Sequence, residues 1–179
     1  MDNIKFTYLQ QPLNPYTFKA PKIYKWVYNY CINKGLILNL FCGATRILNS
    51  QHEIRVDLDS NVIPDYRMDA LDFVRYWQKE ALSSKFHIVV IDPPYSVRKS
   101  MELYKGNKNS HFKLLLDELP KIIADNGIVI TFGYCSSVMS KKRGFKITEI
   151  CLISHGGAIH DTIATVEQKQ TVNMEKCFK

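Results

Sequence analysis

Short apolar runs rich in β-branched residues alternate with longer amphipathic stretches along most of the chain. The amphipathic stretches have the period of a helix surface and predict helices over residues 21–33, 70–82 and 111–125. The apolar runs between them predict strands over residues 35–41, 53–57, 65–69, 86–92 and 127–132. Strands and helices that alternate at this spacing are typical of βαβ units, so the sequence predicts a parallel sheet with helices on its faces.

The end of the chain follows a different pattern. Residues 145–154 and 158–168 are two extended runs separated by a His-Gly-Gly segment at 155–157. Paired glycines between strand-like runs are typical of a hairpin, because glycine adopts positive φ without steric cost. We therefore predict an α/β fold, a doubly wound parallel sheet with an antiparallel hairpin at one edge, in one domain of 179 residues. Residues 1–20 are predicted to form an irregular arm, because prolines interrupt them.

The composition favours a nucleic-acid partner. The formal net charge is +7, and 10 Tyr, 9 Phe and 2 Trp supply rings on which bases can stack. A charge that serves only solubility is the alternative. The five cysteines show no CxxC spacing and the five histidines no HxxxH spacing, so neither a disulfide framework nor a metal site is expected. We see no leader peptide and no apolar run of bilayer length, and we expect a soluble, cytoplasmic protein without a membrane partner.

Polar residues or glycine stand at the ends of the first four predicted strands. Doubly wound sheets bind their ligands at the carboxyl ends of the strands, so these positions form a candidate site. A carboxylate at the end of the second strand can accept hydrogen bonds from both hydroxyls of a ribose. Two positions have simpler alternatives, a helix N-cap at Asp69 and an ordinary strand-to-helix turn at Gly43. The candidate residues at these ends are Asn39, Phe41, Cys42, Gly43, Asp57, Asp69 and Asp92.

The segment Asp92-Pro93-Pro94-Tyr95 directly follows the most apolar predicted strand. Two prolines fix φ and remove two N–H donors, so the backbone is rigid and the carbonyls of Asp92 and Pro93 are presented as acceptors. The Asp92 carboxylate adds a further acceptor, and Tyr95 adds a flat ring. Such a set can hold a planar group that carries an exocyclic amine. The alternative is a rigid turn with a tyrosine at its edge.

This tetrapeptide resembles the hallmark [DNS]-P-P-[YFW] of the S-adenosylmethionine-dependent amino-methyltransferases, which methylate N6 of adenine or N4 of cytosine. The segment from Asn39 to Gly43 resembles their first motif, although Thr45 stands where a second glycine is common. The resemblance implies a Rossmann-like class I fold, with a seven-stranded, mostly parallel sheet in the order 3-2-1-4-5-7-6. It also implies S-adenosyl-L-methionine as the cofactor.

The resemblance also implies roles for individual residues. In the implied mechanism a flipped base stacks on Tyr95, the Asp92 carboxylate and the Pro93 carbonyl accept the amine hydrogens, and the methyl group transfers directly. An Asp at the first position favours adenine over cytosine within the family. The implied catalytic residues are Asp92, Pro93, Pro94 and Tyr95. The implied cofactor contacts are Phe18, Pro21, Asn39, Phe41, Cys42, Gly43, Asp57, Asp69 and Asp92.

A polar, basic stretch at residues 96–110 is predicted to be a substrate loop. Its basic residues are candidate phosphate contacts: Arg98, Lys99, Lys105 and Lys108. Two further basic clusters lie at residues 19–25 and 141–143. We see no room for a separate target-recognition domain. Three options remain: recognition by this loop, recognition by a partner subunit or a second copy of the chain, or a substrate that is RNA or is recognised with relaxed specificity. DNA is favoured over RNA. The alternatives are a non-catalytic nucleic-acid-binding subunit and an enzyme that acts on a glutamine or a small amine.

Overall fold

The computed structural model describes residues 3–80, 84–93, 108–157 and 160–171, with the side chains of residues 108–110 excepted. Within these residues, one sheet of eight strands is flanked by three α-helices. The helices are α1 (Pro21–Cys31), α2 (Ala70–Glu80) and α3 (Lys108–Glu118). The strands are β1 (Lys5–Gln10), β2 (Ile37–Leu40), β3 (Glu53–Asp57), β4 (Tyr66–Arg67), β5 (Phe86–Ile91), β6 (Ile123–Gly133), β7 (Phe145–Ser154) and β8 (Thr162–Lys169).

The strands lie side by side in the order β1-β7-β8-β6-β5-β2-β3-β4. β8 is antiparallel to both of its neighbours, β6 and β7, and the other described pairs are parallel. When the sheet is read from the β4 edge and the strands are renumbered with β2 as the first, the order is 3-2-1-4-5-7-6, and the seventh strand is antiparallel. The predicted fold class is therefore confirmed, and β1 adds an eighth strand at the edge beside β7.

The prediction of an irregular arm over residues 1–20 is wrong for β1. Lys5 Nζ and Thr7 Oγ1 donate to the carboxylate of Glu149 in β7, at 2.9 and 2.6 Å. Trp26 Nε1, at 2.8 Å, and the Tyr30 hydroxyl donate to the same carboxylate from α1. These four donors fix β1 to both β7 and α1. No local pattern reveals this anchor, because its acceptor stands 144 positions further along the chain than the lysine.

The predicted helix over residues 111–125 is too long at its end. α3 begins earlier, at Lys108, and ends at Glu118, where a short 3₁₀ turn, Leu119–Lys121, leads into β6. Pro120 stands in that turn, and proline has no N–H with which to continue a helix. The isoleucines that follow favour an extended chain. β6 therefore begins at Ile123 rather than at residue 127.

Two layers of helix cover the sheet on opposite faces. α1 packs its buried residues, such as Ile23 and Val27, against Ile130 and Phe132 of β6 and their neighbours. α2 and α3 cover the other face over β2, β3, β5 and β6. β5 lies near the centre of the sheet, and five of its six residues are buried, as expected for a parallel strand with helices on both sides. In the described part of the chain, no helix is long and apolar enough to cross a membrane.

Candidate functional site

Three of the predicted site residues meet at the carboxyl edge of the sheet. Leu40 of β2 is in register with Val56 of β3 on one side and with Ile91 of β5 on the other. The residues that follow these three are Phe41, Asp57 and Asp92. Backbone hydrogen bonds continue past the registered residues, from Asp92 N to Leu40 O at 3.4 Å and from Cys42 N to Val56 O at 3.2 Å. The ends of β2, β3 and β5 therefore form one continuous rim.

The turn after β2 has an unusual backbone. Phe41 has φ of 59° and Gly43 has φ of 53°, so both are left-handed. Glycine adopts this region freely, whereas a residue with a side chain carries strain of about 1–3 kcal/mol there. A Cβ added to Gly43 would lie 3.7 Å from Tyr16 Cδ1, which is an ordinary contact. The backbone angle, and not the available space, is what favours glycine at this position.

Side chains from β3 hold this turn. The Gly43 N–H donates to Oδ2 of Asp57 at 2.8 Å, and the Gly43 carbonyl accepts from Nη2 of Arg55 at 3.0 Å. The buried Arg55 also donates to the carbonyls of Thr45 and Ile63, at 3.2 and 2.8 Å. The turn is therefore preorganised by its neighbouring strand.

Asp57 is the last residue of β3 and is partly buried. Its Oδ1 accepts from the N–H of Asp59 at 2.9 Å, while its Oδ2 holds Gly43. A carboxylate offers about four lone-pair positions, so both oxygens can still accept from the hydroxyls of a ribose. Asp57 thus lies at the end of β3, where the sequence predicts it, and it also positions the turn after β2.

Asp69 acts as the N-cap of α2. Its Oδ1 accepts from the N–H groups of Leu71 at 2.8 Å and of Asp72 at 3.3 Å. This is the alternative that the sequence left open for Asp69, and it satisfies two helix donors that would otherwise lack partners. A contact between Asp69 and a cofactor stays a prediction.

Asn39 lies one residue inside the rim and is fully buried. Its Nδ2 donates to Oε1 of Glu53 at 2.9 Å, and the Glu53 carboxylate also accepts from the N–H groups of Ile47 and Leu48. Oδ1 of Asn39 is buried without a hydrogen-bond partner in the structure as described. Asn39 and Glu53 therefore support the loop that precedes β3, from beneath the rim.

Cys42 lies within the turn and is buried. Burial raises the pKa of its thiol to about 12; Arg55 opposes this rise, while Asp57 and Glu53 add to it. The thiol is therefore protonated at neutral pH and is a poor nucleophile. This environment suits a packing role in the turn.

The segment before α1 reaches the same rim. Phe18 is buried and packs edge-on against Phe132, with 5.6 Å between ring centroids. Because Ile91 is in register with Thr131, Phe132 lies level with Asp92. Pro21 is exposed at the first position of α1, where proline is common because the N–H it lacks would have no partner within the helix.

The Asp-Pro-Pro-Tyr segment is described in part. Asp92 and Pro93 follow β5 and are partly buried. Pro94 and Tyr95 lie outside the described residues, as do three of the predicted phosphate contacts, Arg98, Lys99 and Lys105. The fourth, Lys108, is the first residue of α3, so the predicted loop over 96–110 ends earlier than expected.

No protein-family model and no curated protein sequence matches the chain. Solved structures do match. The N-methyltransferase NodS from Bradyrhizobium japonicum WM9 gives a TM-score of 0.60 at 12% identity, over 89% of this chain and 100% of that chain. NodS in complex with S-adenosyl-L-homocysteine gives 0.58 at 12% identity, over 89% and 91%. TrmN from Thermus thermophilus gives 0.58 at 14% identity, over 84% of this chain but only 49% of TrmN.

This chain has the Rossmann-like methyltransferase fold. Doubly wound sheets bind their ligands at the carboxyl edge. In this chain that edge holds Phe41, Gly43, Asp57 and Asp92. Among the described residues, no three His, Cys, Asp or Glu side chains are grouped closely enough to hold a metal ion.

The structure adds two site residues that the sequence did not indicate. Tyr16 lies against the turn at Gly43, is 41% exposed, and has Lys19 Nζ 4.5 Å from its ring centroid. Glu53 organises the loop before β3 from inside the sheet. The pattern that could have pointed to Tyr16 is weak, an aromatic residue three positions before a lysine. The pattern that could have pointed to Glu53 is a glutamate at the start of a buried strand, since a buried carboxylate needs partners.

Proposed function

We propose that this protein is an S-adenosylmethionine-dependent methyltransferase that methylates the exocyclic N6 amine of adenine in nucleic acid, with DNA favoured over RNA. One observation carries the proposal: Asp92-Pro93-Pro94-Tyr95 directly follows β5 in a methyltransferase fold. Asp92 stands at the carboxyl edge of the sheet, beside the end of β2 and its turn. An amine acceptor thus lies next to the position where this fold class binds its ligand.

The residues at the rim fit the proposed cofactor. The Asp57 carboxylate suits the ribose hydroxyls, and the left-handed turn at Gly43 lets the backbone approach the methionine part closely. The apolar side chains of Phe18 and Phe41 suit a neighbouring aliphatic chain. When bound, S-adenosylmethionine supplies an electrophilic methyl group on a sulfonium sulfur.

The chain's own groups prepare the amine. The Asp92 carboxylate and the Pro93 carbonyl accept its two hydrogens, which draws the nitrogen lone pair out of conjugation with the ring. Because the prolines fix φ, these acceptors need no rearrangement when the base arrives. Tyr95 offers a face for stacking the base once it has left its helix. Positioning, together with stabilisation of the positive charge that develops on nitrogen, supplies the rate acceleration.

The test is methyl transfer from tritiated S-adenosylmethionine to DNA and to RNA, followed by enzymatic digestion and nucleoside chromatography. We expect label in N6-methyladenine, with more label in DNA than in RNA. Label in N4-methylcytosine alone would overturn the choice of base. Binding of cofactor and nucleic acid without any transfer would support the non-catalytic subunit instead.

A further inference from the structure

One end of the sheet has a face that no described helix covers. The connection from β6 to β7, residues 134–144, contains a single 3₁₀ turn, Lys141–Arg143, in a position where parallel strands are usually joined by an α-helix. α2 and α3 cover the same face only further along the sheet, over β2, β3, β5 and β6. Within the described residues, the surface of β1 and β7 opposite α1 is therefore left open.

Aromatic side chains line this open surface. Lys5 and Thr7 of β1 reach Glu149 on the α1 side, so the alternate residues Phe6 and Tyr8 point to the opposite face. They are 74% and 62% exposed. In register they lie beside Ile150 and Leu152 of β7, of which Leu152 is 39% exposed. We call these four residues, Phe6, Tyr8, Ile150 and Leu152, the open face.

Basic residues dominate the turn that leads into β7, where Arg143 is paired with Asp117 of α3. The two glutamates of β7 and β8, Glu149 and Glu167, are buried, the first on the α1 side and the second under the N–H groups of residues 138–140. Lys141 and Lys142 are exposed in the turn that leads into β7. That turn lies on the side of the open face, because Met139 packs into the core beneath α2 and α3.

We propose that the open face binds single-stranded nucleic acid, with bases stacked on Phe6 and Tyr8 and phosphates near Lys141 and Lys142. Two exposed rings at alternate positions of one strand stand about 7 Å apart, and exposed aromatics on a sheet are an established platform for unpaired bases. A polyanion matches the local charge. A second copy of the chain does not, because each copy carries +7.

The direction of β1 links this surface to the site. β1 is parallel to β7, so its last residue, Gln10, lies at the carboxyl edge of the sheet, the edge that holds Asp92. β1 and β5 are four strands apart, which is about 19 Å at the usual spacing. A single strand of nucleic acid whose bases stack on Phe6 and Tyr8 therefore runs toward the rim. The inference rests on the proposed function in that the substrate is nucleic acid, and it adds a surface that holds the flanking nucleotides.

The test measures the affinity of the full-length protein for a fluorescein-labelled 12-nucleotide single strand, as DNA and as RNA, by anisotropy. Phe6→Ala and Tyr8→Ala should each weaken binding about tenfold or more, and Phe6→Leu should do the same because leucine offers no π-face. Tyr8→Phe should bind as wild type. The control is Tyr76→Ala, an exposed tyrosine on α2, which should leave the affinity unchanged. Lys141→Gln with Lys142→Gln should lower the slope of log affinity against log salt by about 1.4.

Several outcomes would overturn the inference. If Phe6→Ala and Tyr8→Ala bind the oligonucleotide with wild-type affinity, the open face is not the binding surface. If Phe6→Leu binds with wild-type affinity, base stacking on Phe6 is ruled out. A dimer in sedimentation that Phe6→Ala dissociates, with oligonucleotide affinity unchanged, assigns the surface to a second copy. Methyl transfer assayed on the same variants separates the two proposals. Transfer by the wild type with unaffected binding in the variants defeats only this inference, and binding through Phe6 and Tyr8 without transfer defeats only the proposed function.

Discussion

The backbone N–H of Gly43 donates to Oδ2 of Asp57 at 2.8 Å, which joins the turn after β2 to the end of β3. In the proposed cofactor site, the carboxylate that would bind the ribose therefore also holds the turn that would face the methionine part. Both parts are held in position before the cofactor arrives, which would lower the ordering cost of binding.

Asp57→Ala should weaken S-adenosylmethionine binding at least tenfold, because it removes the ribose acceptor and releases the Gly43 N–H. Calorimetry of the cofactor measures this effect. The matched control is Asp59→Ala, since the Asp59 carboxylate, in the described part of the chain, accepts within its own turn, from the N–H and side chain of Asn61. Equal cofactor affinity in Asp57→Ala and the wild type would remove Asp57 from the site.

Gly43→Ala should lower both stability and cofactor affinity. At φ of 53° an alanine carries left-handed strain of about 1 kcal/mol, which corresponds to roughly 2–4 °C in Tm for a chain of this size. Gly144→Ala is the control, because Gly144 has φ of 81° and no heavy atom within 4 Å of the added Cβ, and it lies at the start of β7. Both variants should lose similar stability in thermal melts, and only Gly43→Ala should bind the cofactor more weakly. A similar loss of affinity in the two variants would contradict a local role for Gly43.

Much of the sheet could be predicted from the sequence, because parallel strands buried on both faces leave continuous apolar runs. The run that becomes β5 predicts its strand to within one residue, and β3 and β7 have the predicted bounds. β1 could not be predicted in this way. It is an edge strand with outward aromatics, and a distant buried glutamate anchors it.

In the candidate site too, some residues could be predicted from local sequence patterns and others could not. Asp57 and Asp92 could be placed at the rim because each stands at the end of a predicted strand. The position of Tyr16 over Gly43 depends on how the segment before α1 crosses the sheet, which no local pattern encodes. The capping bonds of Asp69 also became visible only when the start of α2 was known.

Asp92→Ala should reduce methyl transfer at least 100-fold while cofactor affinity changes little, because its proposed partner is the substrate amine. Single-turnover transfer and calorimetry, carried out on one preparation, separate the two effects. Asp72→Ala, an exposed aspartate in the first turn of α2, is the control and should retain full activity. Activity within a few fold of wild type in Asp92→Ala would refute the mechanism.

Glu149→Gln should destabilise the protein in a pH-dependent way. Burial opposes ionisation of this carboxyl, but hydrogen bonds from Thr7, Tyr30, Lys5 and Trp26 outweigh burial and lower its pKa from 4.5 to about 2. A pKa that is depressed in the folded state contributes stability above the unfolded value, and that contribution is lost as the pH falls from about 4.5 toward 2. At pH 7 the variant should therefore lose about 3 kcal/mol of the free energy of unfolding.

Urea denaturation between pH 2.5 and pH 7 measures this difference directly. The gap between wild type and Glu149→Gln should stay constant above about pH 5 and narrow steadily below pH 4.5. Glu80→Gln, at the exposed end of α2, is the control and should follow the wild type throughout. Because Glu149 holds β1 in place, trypsin should cut the backbone at Lys5, whose side chain is already exposed, faster in the variant than in the wild type under native conditions. A gap that does not change with pH would show that the loss comes from packing and not from the charge that anchors β1.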